Sequence, residues 1–219
     1  MRIGRVLIAA ALLAASVIPA FSDGALILYD GKREASEAFK SGRYVHNLLE
    51  HFSLESVRLI HASDYREGEV AASDAVFVVF EEDRPALADP FLKDLSAFRG
   101  PIVWLNMHID RLLEVPGRSF GLVHEGYSES PSWKVLCGGI EFAKDDPWIN
   151  VVRLAEGSGG RILAEAVDET GRRFPYVVQA ENLWYFADSP FAFAVEGGRF
   201  LILAELLHDI LGRPHERSR

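Results

Sequence analysis

Ala75-Val76-Phe77-Val78-Val79-Phe80 is a run of six apolar residues in which every position after the alanine is β-branched or aromatic. The run is too short for a globular helix, and its apolar residues are continuous where a half-exposed strand would alternate. That pattern predicts a strand covered on both faces, as in the interior of a parallel sheet. It stops abruptly at Glu81-Glu82-Asp83-Arg84-Pro85. Two other runs behave similarly: Ala25-Leu26-Ile27-Leu28-Tyr29, which ends at the turn pair Asp30-Gly31, and Ile102-Val103-Trp104-Leu105, which ends at Asn106; residues 57–60 read as a further strand. Between them, Tyr44, Val45, Leu48, Leu49 and Phe52 recur at helical spacing, as do Phe91, Leu92, Leu95 and Phe98 before Gly100-Pro101. The polar stretch up to Ser41-Gly42 reads as a loop. Strand, helix and strand in this rhythm predict a flavodoxin-like, doubly wound parallel α/β sheet with right-handed crossovers.

The pattern changes after Gly117. Short strands are expected at residues 135–142, 150–154, 161–167, 176–179 and 183–186, forming an antiparallel β extension of the same domain. Gly157-Ser158-Gly159-Gly160 and Asp168-Glu169-Thr170-Gly171 read as hairpin turns. A last helix over 200–211 is apolar almost all round and is expected to be buried on most of its surface. Its polar residues Glu205, His208 and Asp209 share one face. One domain is expected over 23–212, divided into a parallel half (23–116) and a β-rich half with the closing helix (117–212), followed by a short tail (213–219).

The first 22 residues read as a signal peptide: Arg2 and Arg5 are basic, 6–18 is apolar, and Ala20-Phe21-Ser22 resembles a cleavage site. The expected location is therefore periplasmic or secreted. No second apolar stretch approaches the ~20 residues of a membrane span, so none is expected after cleavage. The net charge is −9 and no long basic run occurs, which argues against nucleic acid as a partner. Cys137 is the only cysteine, so an intrachain disulfide is excluded. Its apolar and small neighbours suit a buried structural thiol better than a nucleophile.

Ligands of a doubly wound sheet bind at the carboxyl ends of its strands. The candidates there are Asp30, Glu81 with Glu82 and Asp83, and Asn106 with His108. Asp30, Glu81 and Asp83 could supply the carboxylates of a glycan hydrolase; solvated, helix-capping acids are the plainer alternative. The densest aromatic run, Trp184-Tyr185-Phe186 followed by Asp188-Ser189-Pro190-Phe191, reads as a strand ending in a turn. Trp184 and Tyr185 could stack on sugar rings, although neighbours on a strand point to opposite faces. His46 and His51 lack metal-ligand spacing, and no GxSxG, P-loop, GxGxxG or CxxC occurs. No metal or cofactor is expected.

Three segments carry a family resemblance: Pro175-Tyr176-Val177-Val178, Asn182 to Phe191, and Leu206-Leu207-His208-Asp209-Ile210-Leu211-Gly212. The opening strand to Asp30, the strand ending at Asn106, and Phe120-Gly121 fit the same pattern. Together they resemble the N-terminal region of uncharacterised secreted bacterial proteins in which a class I glutamine-amidotransferase-like domain precedes a polysaccharide-deacetylase-like domain. The resemblance implies an amidotransferase-like fold and a glycan or a deacetylase-like protein as partner. The deacetylase-like part, with its metal ligands and catalytic carboxylates, has no counterpart in this sequence. Asn106 or Met107 occupies the place where amidotransferases carry a nucleophilic cysteine, and Asn cannot form a thioester. The expectation is therefore a non-catalytic binding domain using Asp30, Glu81, Asn106, His108, Trp184, Tyr185 and Asp188. The hydrolase is the rival, and a two-lobed solute-binding protein is disfavoured by the single α/β half.

Overall fold

The computed structural model describes residues 24–81, 89–144, 146–193 and 197–212. The expected signal peptide, the tail, Glu82 and Asp83 lie outside the described residues. The chain runs β1 (Gly24–Tyr29), α1 (Glu37–Leu49), β2 (Ser56–His61), β3 (Ala75–Phe80), α2 (Asp89–Ala97), β4 (Ile102–Asn106), α3 (Ile109–Leu113) and β5 (Leu122–Glu129). It continues with β6 (Trp133–Cys137), β7 (Ile140–Lys144), β8 (Trp148–Leu154), β9 (Arg161–Val167), β10 (Arg173–Ala180), β11 (Leu183–Phe186) and α4 (Gly197–Leu211).

The chain forms a mixed α/β structure around one large sheet, with strand order β2-β1-β3-β4-β11-β10-β9-β6-β7. The members from β2 to β11 run parallel. From β11 to β7 every neighbouring pair is antiparallel. The continuous apolar runs are explained by burial: every residue of β1 and β3 is buried. Strand order reverses between β1 and β3, and there the Asp30 carboxylate accepts a hydrogen bond from the Glu81 backbone N–H at 3.0 Å. Asp30 thus ties two neighbouring strand ends together.

Several expectations change. The helix begins at Glu37, inside the stretch expected to be a loop, because the Ser36 hydroxyl caps it by accepting from Phe39 N–H at 3.1 Å. Gly42 turns toward the sheet; a Cβ there would sit 2.9 Å from Leu59 Cδ1. Residues 135–142 form two strands, β6 and β7, folded at Gly138 and Gly139, both with positive φ. β11, expected in the antiparallel extension, is a further parallel strand beside β4. β5, which the sequence pattern did not suggest, pairs with β8 as a separate two-stranded ribbon. The Gly157–Gly160 segment therefore leads from the ribbon back into the large sheet and is no hairpin turn. The turn at 168–171 does join an antiparallel pair, β9 and β10.

α4 buries Ile202, Leu203, Leu206, Leu207 and Ile210 but leaves Leu201 62% exposed. Its burial is one-sided, contrary to the all-round apolar expectation. Arg199 at its start lies over the Phe142 ring at 4.4 Å, and Ile202 approaches Gly138, so the helix packs on the β6–β7 end of the sheet. No helix among the described residues is long and apolar enough to cross a membrane.

Candidate functional site

β4 ends at Asn106, which has φ 68°, and His108 two residues later has φ 63°. Left-handed backbone is unfavourable for most side chains and best tolerated, after glycine, by Asn and Asp. The strand-to-α3 turn is thus sharp, and Asn is the residue type suited to it. Asn150 of β8 donates its Nδ2 to the Asn106 carbonyl at 3.3 Å, and the Tyr185 hydroxyl donates to the same oxygen at 3.4 Å. Trp104 Nε1 holds the next carbonyl, that of Met107, at 2.7 Å. Side chains from β8, β11 and β4 itself therefore fix this turn.

Two clefts meet at the turn, sharing Asn106, Met107 and Asp146. One, of about 430 Å³, is charged and is bordered by Glu37, Glu81, Lys144, Asp188, Ser189 and Arg199. In its wall, the Ser41 and Ser189 hydroxyls donate to Glu81 Oε1 at 2.6 and 3.0 Å. Burial raises the Glu81 carboxyl above its ordinary pKa, and the two hydroxyls only partly oppose that. Asp188 is buried beside Lys144, with Oδ2 3.2 Å from Lys144 Nζ and 2.7 Å from the Tyr176 hydroxyl that donates to it. Burial raises its pKa as well, against the pull of Lys144 and of the Tyr176 hydrogen bond.

The second cleft, of about 320 Å³, is bordered by Tyr127, Trp148, Ile149 and Asn150. In the ribbon, Tyr127 lies opposite Asn150 and Glu129 opposite Trp148. Tyr127 and Trp148 are therefore diagonal neighbours on one face, the spacing at which aromatic side chains on adjacent strands form a joint surface. They are 54% and 51% exposed. Beneath them Asn150 is 3% exposed, and its Oδ1 is buried with no hydrogen-bond partner.

The candidates from sequence fare unevenly. Glu81, Asn106 and Asp188 line the charged cleft, and Asn106 both clefts. Asp30 is buried at the end of β1, and its bond to Glu81 N–H makes it a brace between strands. His108 is half-buried and borders neither cleft. Trp184 and Tyr185 are 6% and 0% exposed: β11 lies between β4 and β10 and is covered on both faces, so neither ring offers a stacking surface. Cys137 is buried, and burial raises its thiol pKa. His208 Nδ1 and Asp209 Oδ1 approach to 3.6 Å, but both side chains are exposed, and such a pair contributes little. No group of three or more His, Cys, Asp or Glu side chains among the described residues could hold a metal ion.

Sequence reasoning missed Lys144, Tyr127, Trp148 and Asn150. Residues 122–129 show a weak alternation, and Tyr127, set among Glu125, Gly126, Ser128 and Glu129, was the available signal for a half-exposed ribbon.

Among solved structures, the chain is similar to a ThuA-like protein from Bacteroides uniformis ATCC 8492, at 12% identity and TM-score 0.53, over 84% of this chain and 89% of that one. It is similar to a ThuA-like protein from Parabacteroides merdae ATCC 43184, at 14% identity and TM-score 0.53, over 89% of this chain and 92% of that one. The fold is ThuA-like. ThuA-like proteins have a class I glutamine-amidotransferase-like fold, so the family resemblance read from the sequence holds at the level of architecture. The same ThuA-like fold matches part of the exo-β-1,4-mannosidase Op5Man5 from Opitutaceae bacterium strain TAV5, at 11% identity and TM-score 0.52; the match spans 85% of this chain and 36% of that one. At these identities the likeness establishes the fold alone. No protein-family model and no curated protein sequence matches the chain.

Proposed function

We propose that this protein is an exported, non-catalytic domain of doubly wound, amidotransferase-like architecture that binds a glycan at the carboxyl edge of its parallel strands. The observation that carries the reading is the pair Tyr127 and Trp148, two half-exposed rings on one face of the ribbon, bordering a cleft that also holds Asn106, Asp146 and Asn150. Flat apolar faces beside polar edges suit a pyranose ring, which has C–H patches on its faces and hydroxyls around its rim. This role passes from Trp184 and Tyr185, which are buried, to the ribbon. Asn106 at the turn after β4 supports a binding role, since an amide there cannot act as the thiolate of an amidotransferase. Export rests on the signal-like residues 1–22, and a deacetylase-like partner rests on the family resemblance.

Affinity electrophoresis against a panel of soluble polysaccharides tests the reading. At least one polymer should retard the protein, and Trp148→Ala should weaken retardation by about tenfold, the loss of one aromatic contact in a binding cleft. Its melting temperature should stay within a degree or so, because the ring is half-exposed. Retardation that is unchanged in both Trp148→Ala and Tyr127→Ala sinks the proposal.

One observation favours a second reading, glycan hydrolysis. Glu81 borders the charged cleft with its carboxyl pKa raised, as a general acid requires. Of the hydrolase carboxylates considered from sequence, Glu81 borders the cleft and Asp30 is a brace; Asp83 lies outside the described residues. Release of reducing ends that disappears in Glu81→Gln while binding persists would select hydrolysis over binding alone.

A further inference from the structure

Asp146 borders both clefts, and its side chain is 54% exposed where they meet. Its Oδ1 accepts the Trp148 backbone N–H at 2.8 Å, which holds the carboxylate beside the strand that carries the exposed ring. Its Oδ2 lies 3.8 Å from Lys144 Nζ, but that buried ammonium sits closer to Asp188, at 3.2 Å. One ammonium thus serves two carboxylates, and the exposed member of the pair keeps a negative charge facing water. Nearby groups do not cancel it: Glu37, Glu81 and Asp188 border the charged cleft against Lys144 and Arg199, and Arg199 is seated over the Phe142 ring. Tyr127 and Trp148 act in the same sense, because the face of an aromatic ring attracts cations. An exposed carboxylate and two exposed rings around one cleft make a place for a positively charged group. The chain as a whole carries a net charge of −9, a field that draws cations in and turns anions away.

We infer that the glycan taken by this cleft is cationic, built of amino sugars whose nitrogen carries no acetyl group. The inference rests on the glycan-binding reading and names its ligand class. The sugar face lies on Trp148, and the protonated amine donates to the Asp146 carboxylate in a charge-assisted hydrogen bond. An N-acetylated sugar can stack on the same ring, but its amide nitrogen is neutral and leaves the charge of Asp146 to water. A sugar carrying a carboxylate or a sulfate meets repulsion from Asp146. The order of preference is thus cationic, then neutral, then anionic.

Calorimetric titration with three probes of equal length tests this, in mildly acidic buffer that keeps the sugar amines protonated: the β-1,4-linked glucosamine tetramer, its fully N-acetylated counterpart, and tetralysine. The glucosamine tetramer should bind about tenfold tighter than either of the others. Asp146→Asn removes the charge and keeps an oxygen for the Trp148 N–H. It should weaken the glucosamine tetramer about fivefold, the loss of one solvent-reached ion pair, and leave the acetylated tetramer unchanged. Asp209→Asn removes the same charge from an exposed site on α4 that lines neither cleft, and should keep the wild-type preference. Acetylated and glucosamine tetramers bound equally by the wild type, or a full preference surviving in Asp146→Asn, overturns the inference while the glycan-binding reading stands. So does a glucosamine tetramer that fails to bind while a neutral polysaccharide retards the protein. An equal loss in Asp209→Asn, or tetralysine bound as tightly as the sugar, also overturns it, since net charge alone would then explain the affinity. If the wild type binds neither tetramer and no polysaccharide retards it, both readings fall.

Discussion

The two halves of the large sheet are built on different periods. In β1 and β3 every residue is buried, so apolar character is continuous. In β6 and β9 buried positions alternate with exposed or partly exposed ones, and in the ribbon strand β5 one residue, Leu122, is buried. The parallel half contributes the turn at Asn106 and the carboxylate of Glu81 at its strand ends. Lys144 comes from the other half, and the exposed rings from the ribbon. The strand-end turn and the exposed rings thus come from regions under opposite packing constraints. A strand buried on both faces cannot spare an aromatic ring for solvent, which is why β11, despite its Trp and Tyr, offers none.

The sharpest way to break this comparison is to truncate one large side chain in each half. Phe77→Ala in β3 removes a fully buried ring and should cost about 3–5 kcal/mol in urea denaturation. Ile162→Ala in β9 removes a side chain that is 45% exposed and should cost about 1 kcal/mol or less. Equal losses would mean that the halves do not differ as described. Where the halves meet, Lys144→Met leaves the buried Asp188 carboxylate without its cation and should cost about 3 kcal/mol at pH 7. The loss should shrink as pH falls and Asp188 takes up a proton; a loss independent of pH would show that the ion pair is not what Lys144 contributes. Next, Ser36→Ala removes the cap of α1 and should cost about 1 kcal/mol, readable as a small fall in melting temperature.

The smallest effect sharpens the comparison at Glu81. Burial raises its folded pKa above the ordinary 4.5, so the folded state binds its proton more readily than the unfolded chain. The stability linked to that proton is present at low pH and is lost as pH rises through the folded value. Glu81→Gln, which keeps an acceptor for Ser41 and Ser189, should therefore match the wild type near pH 4 and become the more stable of the two by pH 7. Parallel melting curves across that range would show that burial does not govern this carboxyl.

Legibility in the sequence followed the same division. Continuous runs such as 75–80 and 102–105 marked the inner strands, because burial on both faces leaves no room for polar residues. β9 and β11 were readable to their ends, since turn residues flank them. The partner of β11 was not readable: its four apolar residues are compatible with a place at an antiparallel hairpin or beside β4, and long-range pairing decides between them. β6 and β7 merged into one run because their turn is two glycines between apolar residues. At the site, Glu81, Asn106 and Asp188 were found by their position at the ends of strands. Lys144 and Asn150 were not, because their roles depend on distant partners, Asp188 and the Asn106 carbonyl.

The ribbon of β5 and β8 has a consequence of another kind. Its strand hydrogen bonds are internal, and it forms no ladder with the large sheet. It joins the body through connections carrying glycines at positive φ, Gly121 before it and Gly157 and Gly159 after it, through the bond from Asn150 to Asn106, and through Leu122, Ile149 and Val152, which are buried in the common core. Such a segment can exchange its exposed residues, among them Tyr127 and Trp148, without disturbing the register of any strand in the main sheet. Across chains that share this architecture, the outer face of the ribbon is where sequence should vary most freely, and for an engineer it is the natural place to introduce new side chains.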